Sequence, residues 1–213
     1  MSVEQRAAAR LDEWVPKTRL GKMIQEGKIT SVDEVFLSGL KISEPQIVDA
    51  LIPDIQEEVI NVNLVQKQTD AGEKSSFKAI VAVGNRDGYI GLGSGKARQV
   101  RTAIEKAAVA ARLNIVPVKR GCGSWECGCG KPHSVPFMVE GKCGGVRVVI
   151  VPGPRGLGLV ASEVAKVILG LAGVKDLWMR SYGSTRTVPS FAYAVFDALR
   201  KTYSLITQAD WVR

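Results

Sequence analysis

The spacing of apolar positions changes several times along the chain, and each change predicts a different element. Over residues 1–54 short apolar sets recur at helical intervals between breakers. Ser31-Val32-Asp33-Glu34 places a hydroxyl three residues before a carboxylate, the order of a capping box, and predicts a helix start. Pro45 suits a first helical turn, Val48, Leu51 and Ile52 supply an apolar face, and Pro53 ends that helix. Over 57–92 the period falls to near two. Ile60, Val62 and Leu64 alternate with Asn61 and Asn63, Asp70-Ala71-Gly72 reads as a turn, and Phe77 to Val83 is rich in strand formers. Asn85-Arg86-Asp87-Gly88 is a tight-turn signal leading to Tyr89-Ile90, so this stretch predicts a short antiparallel meander. Helical spacing returns over 96–113, where Val100, Ile104, Ala107, Ala108 and Ala111 recur and Arg98, Arg101, Glu105 and Arg112 fall mostly elsewhere on the wheel.

The pattern then repeats in a second unit. Glycines between the cysteines of 121–132 predict an irregular loop. Val135 to Val139 and Val146 to Val151 read as strands joined at Gly144-Gly145. Pro152 to Gly158 is a stiff loop, Ala161 to Leu171 a helix ending near Gly173, Leu177 to Arg180 a short strand, and Phe191 to Tyr203 a final helix. The expected class is α+β: a helical head followed by two α/β units split near residues 118–132.

Composition narrows this picture. The chain has 213 residues, 46% of them hydrophobic, enough for a packed core. No apolar run approaches the ~20 residues of a membrane helix. Met1 to Trp14 is polar and lacks the apolar stretch of a signal peptide, so a soluble cytoplasmic protein is expected. The net charge of +8 is uneven: −4 over residues 1–60, +8 over 61–150 and +4 over 151–213. An acidic head on a basic body suggests one surface for a polyanion and another for a different partner, although charge that serves only solubility fits the same numbers.

Two glycine-rich strings and one cysteine cluster carry the candidate chemistry. Gly91-Leu92-Gly93-Ser94-Gly95-Lys96 fails the nucleotide phosphate loop, because Ile90 stands where a glycine is needed and Ala97 follows the lysine instead of Ser or Thr. It still reads as a glycine turn running into a helix N-terminus, where backbone N–H groups with Lys96, Arg98 and Arg101 would meet a nucleic-acid phosphate. Gly156-Leu157-Gly158-Leu159-Val160-Ala161 has the spacing of a dinucleotide fingerprint, but its prolines and the lack of a suitably spaced acidic residue argue against one. Arg155 there reads as a rigidly presented phosphate contact. Cys122, Cys127, Cys129 and His133 offer three thiolates and an imidazole, a plausible tetrahedral zinc set; free cysteines in a packed loop and a Cys–His nucleophile fit the same residues. Cys143 reads as a small packed residue that can substitute as a ligand. No paired carboxylates or Ser/His/Asp set stands out, so neither an enzyme nor a small-molecule substrate is expected. Further cations, among them Arg86, Lys119, Arg120, Lys131, Arg180 and Arg186, dot loops and helix ends, as phosphate contacts do, and Tyr89, Trp125, Trp178 and Tyr182 are candidates for base stacking.

Gly84-Asn85-Arg86-Asp87-Gly88-Tyr89-Ile90-Gly91-Leu92-Gly93-Ser94-Gly95-Lys96-Ala97 resembles the signature of the universal small-subunit ribosomal protein five family. Gly130 to Pro136, Val151 to Gly158, Ala172 to Asp176 and Phe191-Ala192-Tyr193-Ala194 resemble its second half, and Trp14 to Gly21 resembles the extension of archaeal and eukaryotic members. The clustered cysteines resemble archaeal members. The resemblance implies a helical extension over 1–54, a double-stranded-RNA-binding-like domain over 55–118, a connecting loop over 119–132, and over 133–213 a β-β-α-β-α domain with a left-handed crossover. It implies a structural constituent of the small ribosomal subunit. The implied partners are small-subunit rRNA, neighbouring ribosomal proteins and mRNA near the path by which it enters; the implied roles are subunit assembly and translational accuracy. RNA contact is implied for Gly84 to Gly95, including Gly93, and at the helix start. A zinc-containing RNA-modifying enzyme and a free regulatory RNA-binding protein remain the alternatives.

Overall fold

The computed structural model describes residues 14–52 and 54–205, so the expected stop at Pro53 lies outside the described residues. Three short helices come first: α1 (Arg19–Gln25), α2 (Val32–Ser38) and α3 (Pro45–Leu51). Their ends follow from local chemistry. Thr18 Oγ1 accepts from Gly21 N at 3.1 Å. Ser31 Oγ accepts from Glu34 N at 3.4 Å while Glu34 Oε2 reaches back to Thr30 N at 3.0 Å, so the box closes one residue earlier than its usual form. Glu44 ties down the stretch from Trp14 to Thr18, accepting from Trp14 Nε1 at 2.8 Å, Lys17 N at 2.9 Å and Thr18 N at 2.7 Å.

The first sheet has the order β1 (Gln56–Thr69), β2 (Gly72–Gly84), β3 (Tyr89–Ala97), β4 (Ile115–Pro117), all antiparallel, with α4 (Val100–Leu113) between the last two. The second has the order β5 (Val139–Cys143), β6 (Val146–Pro152), β8 (Leu177–Tyr182), β7 (Leu159–Val160). In it β7 and β8 run parallel through α5 (Glu163–Leu171), and α6 (Val188–Arg200) with a 3₁₀ turn (Lys201–Ser204) follows. This is the α+β architecture expected.

Sheet one is buried on both faces at its centre. Ala79, Val81 and Val83 pack with Ala103, Ala107, Ala108 and Ala111 of α4. Ile80, Ala82, Ile90 and Leu92, on the opposite face, join Val148, Ile150, Ile168, Phe191 and Val195 of the second unit in one core. Double burial is why Ala79 to Val83 reads as a continuous apolar run rather than an alternation. The helical head seats against β3, β4 and α4 through its own cluster around Val35, Ile47, Val48 and Ile115. Arg112 of α4 is 12% exposed and meets Asp49 at 2.8 Å and also Glu57, so part of the acidic head is neutralised against the body.

Several expectations need correction. Gly91 to Lys96 is not a turn entering a helix. It lies within strand β3, and α4 begins only at Val100. Gly91, Gly93 and Gly95 alternate onto the face beneath α4, where a Cβ would collide with the backbone of Ala103, Ala107 or Ala111. The glycines let strand and helix backbones touch, and Gly93 and Gly95, proposed as RNA contacts, are buried in that seam. The second unit repeats the device, with Gly141 of β5 under Ala194 and Ala198 of α6. In β1, Val59 and Leu64 are exposed, because a bulge between Val59 and Asn61 shifts the register and the hairpin runs beyond the core. The strand expected at 135–139 lies at 139–143; the two-residue turn at Gly144-Gly145 carries pairing right up to Cys143 and Val146.

Gly93→Ala is expected to lower unfolding stability by about 3 kcal/mol through overpacking of the strand–helix seam. Gly170→Ala, at a helical position with open space around its Cα, is expected to raise it by ~0.5–1 kcal/mol. Denaturant midpoints of the two variants check both signs.

Candidate metal centre and nucleic-acid interface

The loop after β4 folds back on itself. Gly121 N donates to Ser134 O at 2.8 Å and Ser134 N to Gly121 O at 2.9 Å, which closes residues 121–134 at its base. Inside it the Sγ atoms of Cys122, Cys127 and Cys129 and a ring nitrogen of His133 all lie within 4.8 Å of one another. Cys122 Sγ and Cys129 Sγ are 3.6 Å apart, and Cys127 Sγ is 3.8 Å from His133 Nε2. With zinc–sulfur and zinc–nitrogen bonds of about 2.3 and 2.0 Å, the edges of a tetrahedral site are about 3.5–3.8 Å. The donor set and these two distances fit a divalent metal of zinc size. Cys143 lies in β5 and is not among the four converging donors.

The surroundings orient the donors. His133 is buried, and its Nδ1 lies 2.9 Å from Oδ2 of the buried Asp176. Lys175 N and Asp176 N donate to His133 O at 2.9 and 3.1 Å. Backbone N–H groups of Arg155 and Cys129 point at Cys127 and, with the neighbouring thiols, lower its pKa to about 6. Burial and its bonds with Cys129 and Cys127 push the Cys122 thiol up. Asp176 is the functional residue that sequence reasoning missed. It lies 43 positions beyond His133, and no local pattern links the two.

Asp176 also completes a Cys127–His133–Asp176 line of the kind a thiol nucleophile uses. The convergence of two more thiols on the same point exceeds what a nucleophile requires and suits a closed metal site.

The candidate RNA-contact cations divide into two kinds. Arg86, Lys96, Arg98, Arg101, Lys131, Arg155, Arg180 and Arg186 are exposed. Arg86 tops the β2–β3 turn with φ 56°, its N–H held by Leu171 O at 2.8 Å. Asn85 Oδ1 shapes the same turn, accepting from Asp87 N at 2.8 Å and Tyr89 N at 3.1 Å. Lys96 lies across the β2–β3 ladder from Lys78, a cation that the sequence reading passed over. Arg120, by contrast, is half-buried and paired with Asp87, and Lys119, also half-buried, donates its backbone N–H to Thr202 Oγ1 at 3.0 Å; of the exposed set, Arg101 pairs with Glu105 at 3.1 Å. Tyr89 is half-buried and donates its hydroxyl to Asp33 Oδ1 at 2.7 Å, an anchor for the helical head rather than a free stacking face. Arg86, Lys166 and Lys175 also line a groove of about 570 Å³ floored by Val167 and Leu171.

In metal-free protein at neutral pH, iodoacetamide is expected to label Cys127 before Cys122, with Cys127 labelling titrating near pH 6. The folded Cys127 thiol lies below the ordinary range near 8.5. Its contribution to stability is therefore present above that range and lost as pH falls through the folded value. Peptide mass spectrometry reads the order; Cys122 labelled first would contradict the electrostatics described.

Comparison with known proteins agrees with this geometry. Residues 55–119 match the family model described as ribosomal protein S5, N-terminal domain, and residues 141–210 match ribosomal protein S5, C-terminal domain. The chain is 60% identical over 193 residues to small ribosomal subunit protein uS5 of Pyrobaculum calidifontis, covering 91% of this chain and 96% of that one. It is 57% identical over 199 residues to uS5 of Thermofilum pendens, covering 93% and 98%. It is 56% identical over 211 residues to uS5 of Aeropyrum pernix, covering 99% and 97%. The two matched units, joined by nearly full-length identity to archaeal relatives, show that this chain belongs to the ribosomal protein S5 family.

Proposed function

We propose that the protein is a structural, non-enzymatic constituent of the small ribosomal subunit in the cytoplasm, binding small-subunit rRNA and neighbouring ribosomal proteins. The observation that carries this is the display of exposed cations on strands, on turns and at the start of α4 of a double-sheet body, in a chain of the S5 family. The proposed RNA contacts are Arg86, Lys96, Arg98, Arg101, Lys131, Arg155, Arg180 and Arg186, with Lys78 added. Lys119 and Arg120 serve as contacts only alongside their roles in packing. The N-terminal match over 55–119 lends support to division near residues 54 and 118; the division at 132 is proposed from the sequence, since the C-terminal match begins at 141. The resemblance of the Gly84–Ala97 and Val151–Gly158 strings supports a place near the path by which mRNA enters, and a part in subunit assembly and accurate decoding. Phosphate neutralisation, rather than base reading, supplies the affinity.

Cys122, Cys127, Cys129 and His133 hold zinc in this reading. The ion supplies folding energy to a glycine-rich loop that has little core of its own. Asp176 fixes the tautomer and aim of the imidazole.

Replacing Arg86, Lys96 and Arg101 together by alanine is expected to weaken binding to small-subunit rRNA and to lower the slope of log affinity against log salt by about two to three. An unchanged slope would remove these residues from the interface. Purified protein is expected to carry one zinc per chain by elemental analysis. Cys129→Ser is expected to lose it and to unfold about 5–10 °C lower, the effect of forgoing a ligand held at about 100-fold its dissociation constant.

A further inference from the structure

The loop Gly153–Gly158 carries Arg155 and lacks regular secondary structure. Its backbone donors nevertheless converge. Gly153 N donates to Ser134 Oγ at 3.2 Å, next to the ligand His133. Gly156 N and Gly158 N donate to Asp176 Oδ1 at 3.1 and 2.8 Å. The other oxygen of the same carboxylate lies 2.9 Å from His133 Nδ1, within ion-pair distance but not aligned as a hydrogen bond. Pro152 and Pro154 have no N–H to offer, and Leu157 N is bonded inside the loop to Pro154 O at 3.3 Å, so four of the five backbone donors from 152 to 158 are held, three of them by Ser134 and Asp176.

We infer that the metal knuckle and the Gly153–Gly158 loop form one ordered unit, in which Asp176 is a positioning residue that transmits the hold on His133 to the loop presenting Arg155. The inference rests on the metal reading of the four donors and deepens it. Without the ion the thiols and imidazole lose their common centre, Asp176 lies against an imidazole no longer held, and the Gly156 and Gly158 amides share a less firmly placed acceptor. A carboxylate behind a ligating histidine also raises its basicity, so the effect runs both ways: the loop amides fix Asp176, and Asp176 tightens the site. The device explains how a loop rich in glycine can present a guanidinium with little freedom to lose on binding.

The test uses the full-length chain loaded with zinc and the same protein after chelation, with metal content measured in both. Hydrogen exchange is followed by mass spectrometry over peptides covering 153–158, with β6 and α6 as internal references. The expected result is at least ~10-fold faster exchange over 153–158 on metal removal, with the references unchanged. Cobalt titration of Asp176→Asn is expected to show affinity ~10- to 100-fold weaker than wild type and a shifted visible spectrum; a residue that merely tied the loop would leave both unaltered. Stoichiometric zinc with identical loop exchange before and after chelation would overturn the coupling and leave the metal reading intact. So would wild-type cobalt affinity and spectrum in Asp176→Asn. A wild-type chain that binds no zinc would overturn the metal reading, and this inference with it. The exchange comparison needs no substitution, so the coupling stays testable even where a variant folds poorly.

Discussion

Everything in this molecule hangs on the close approach of strand β3 to helix α4. Gly91, Gly93 and Gly95 on one side and Ala103, Ala107 and Ala111 on the other bring two backbones into contact. That contact seals one face of sheet one, freeing the other to share a core with the second unit. Side chains of ordinary size in the seam would lift the helix off the sheet, and interiors packed at crystal density transmit such a shift. The Asn85–Gly88 turn, whose Arg86 is bonded to Leu171 of α5, sits at the end of the same ladder. The geometry of a proposed RNA contact is thereby tied to the seam.

The second organising contact joins residues distant in sequence. His133 and Asp176 are buried together, and the backbone N–H groups of Lys175 and Asp176 return to the His133 carbonyl. Three segments meet there: the cysteine loop, the Pro152–Gly158 loop and the start of β8. The residues that meet, Cys122 to His133, Gly153 to Gly158 and Lys175-Asp176 just before β8, belong to no helix or strand. A buried carboxylate facing an imidazole, with its remaining oxygen filled by two amides, gives them a common reference. A metal centre fits this place, because ligand bonds supply order where apolar burial is scarce.

The acidic head shows charge used inside the protein. Asp49 and Glu57 meet Arg112, and Asp33 accepts from Tyr89. Part of the negative charge of residues 1–60 is consumed in seating the head, while the exposed cations stand mainly on the remainder of the chain. The uneven charge is therefore accounted for in part by contacts inside the chain.

Sequence alone determined several of the elements and the grouping of the cysteines with His133. Helix starts at Ser31 and Pro45, the turns at Asp70-Ala71 and Gly144-Gly145, and the Cys122–His133 grouping all rest on interactions within a few residues, and such interactions leave local patterns. Tertiary structure decided what those patterns were for. The Gly91–Gly95 string has the composition of a phosphate-binding turn, and only the helix lying on it shows that its missing side chains make room for a backbone. Tyr89 has the character of a stacking residue, and only Asp33, 56 positions away, claims its hydroxyl. Asp176 has no local signature at all, because its partners lie 18 to 43 residues distant and are brought to it by the folding of two loops against one strand. Periodicity encodes which face of an element is apolar; what lies on that face is settled by long-range packing, which no short window of sequence contains.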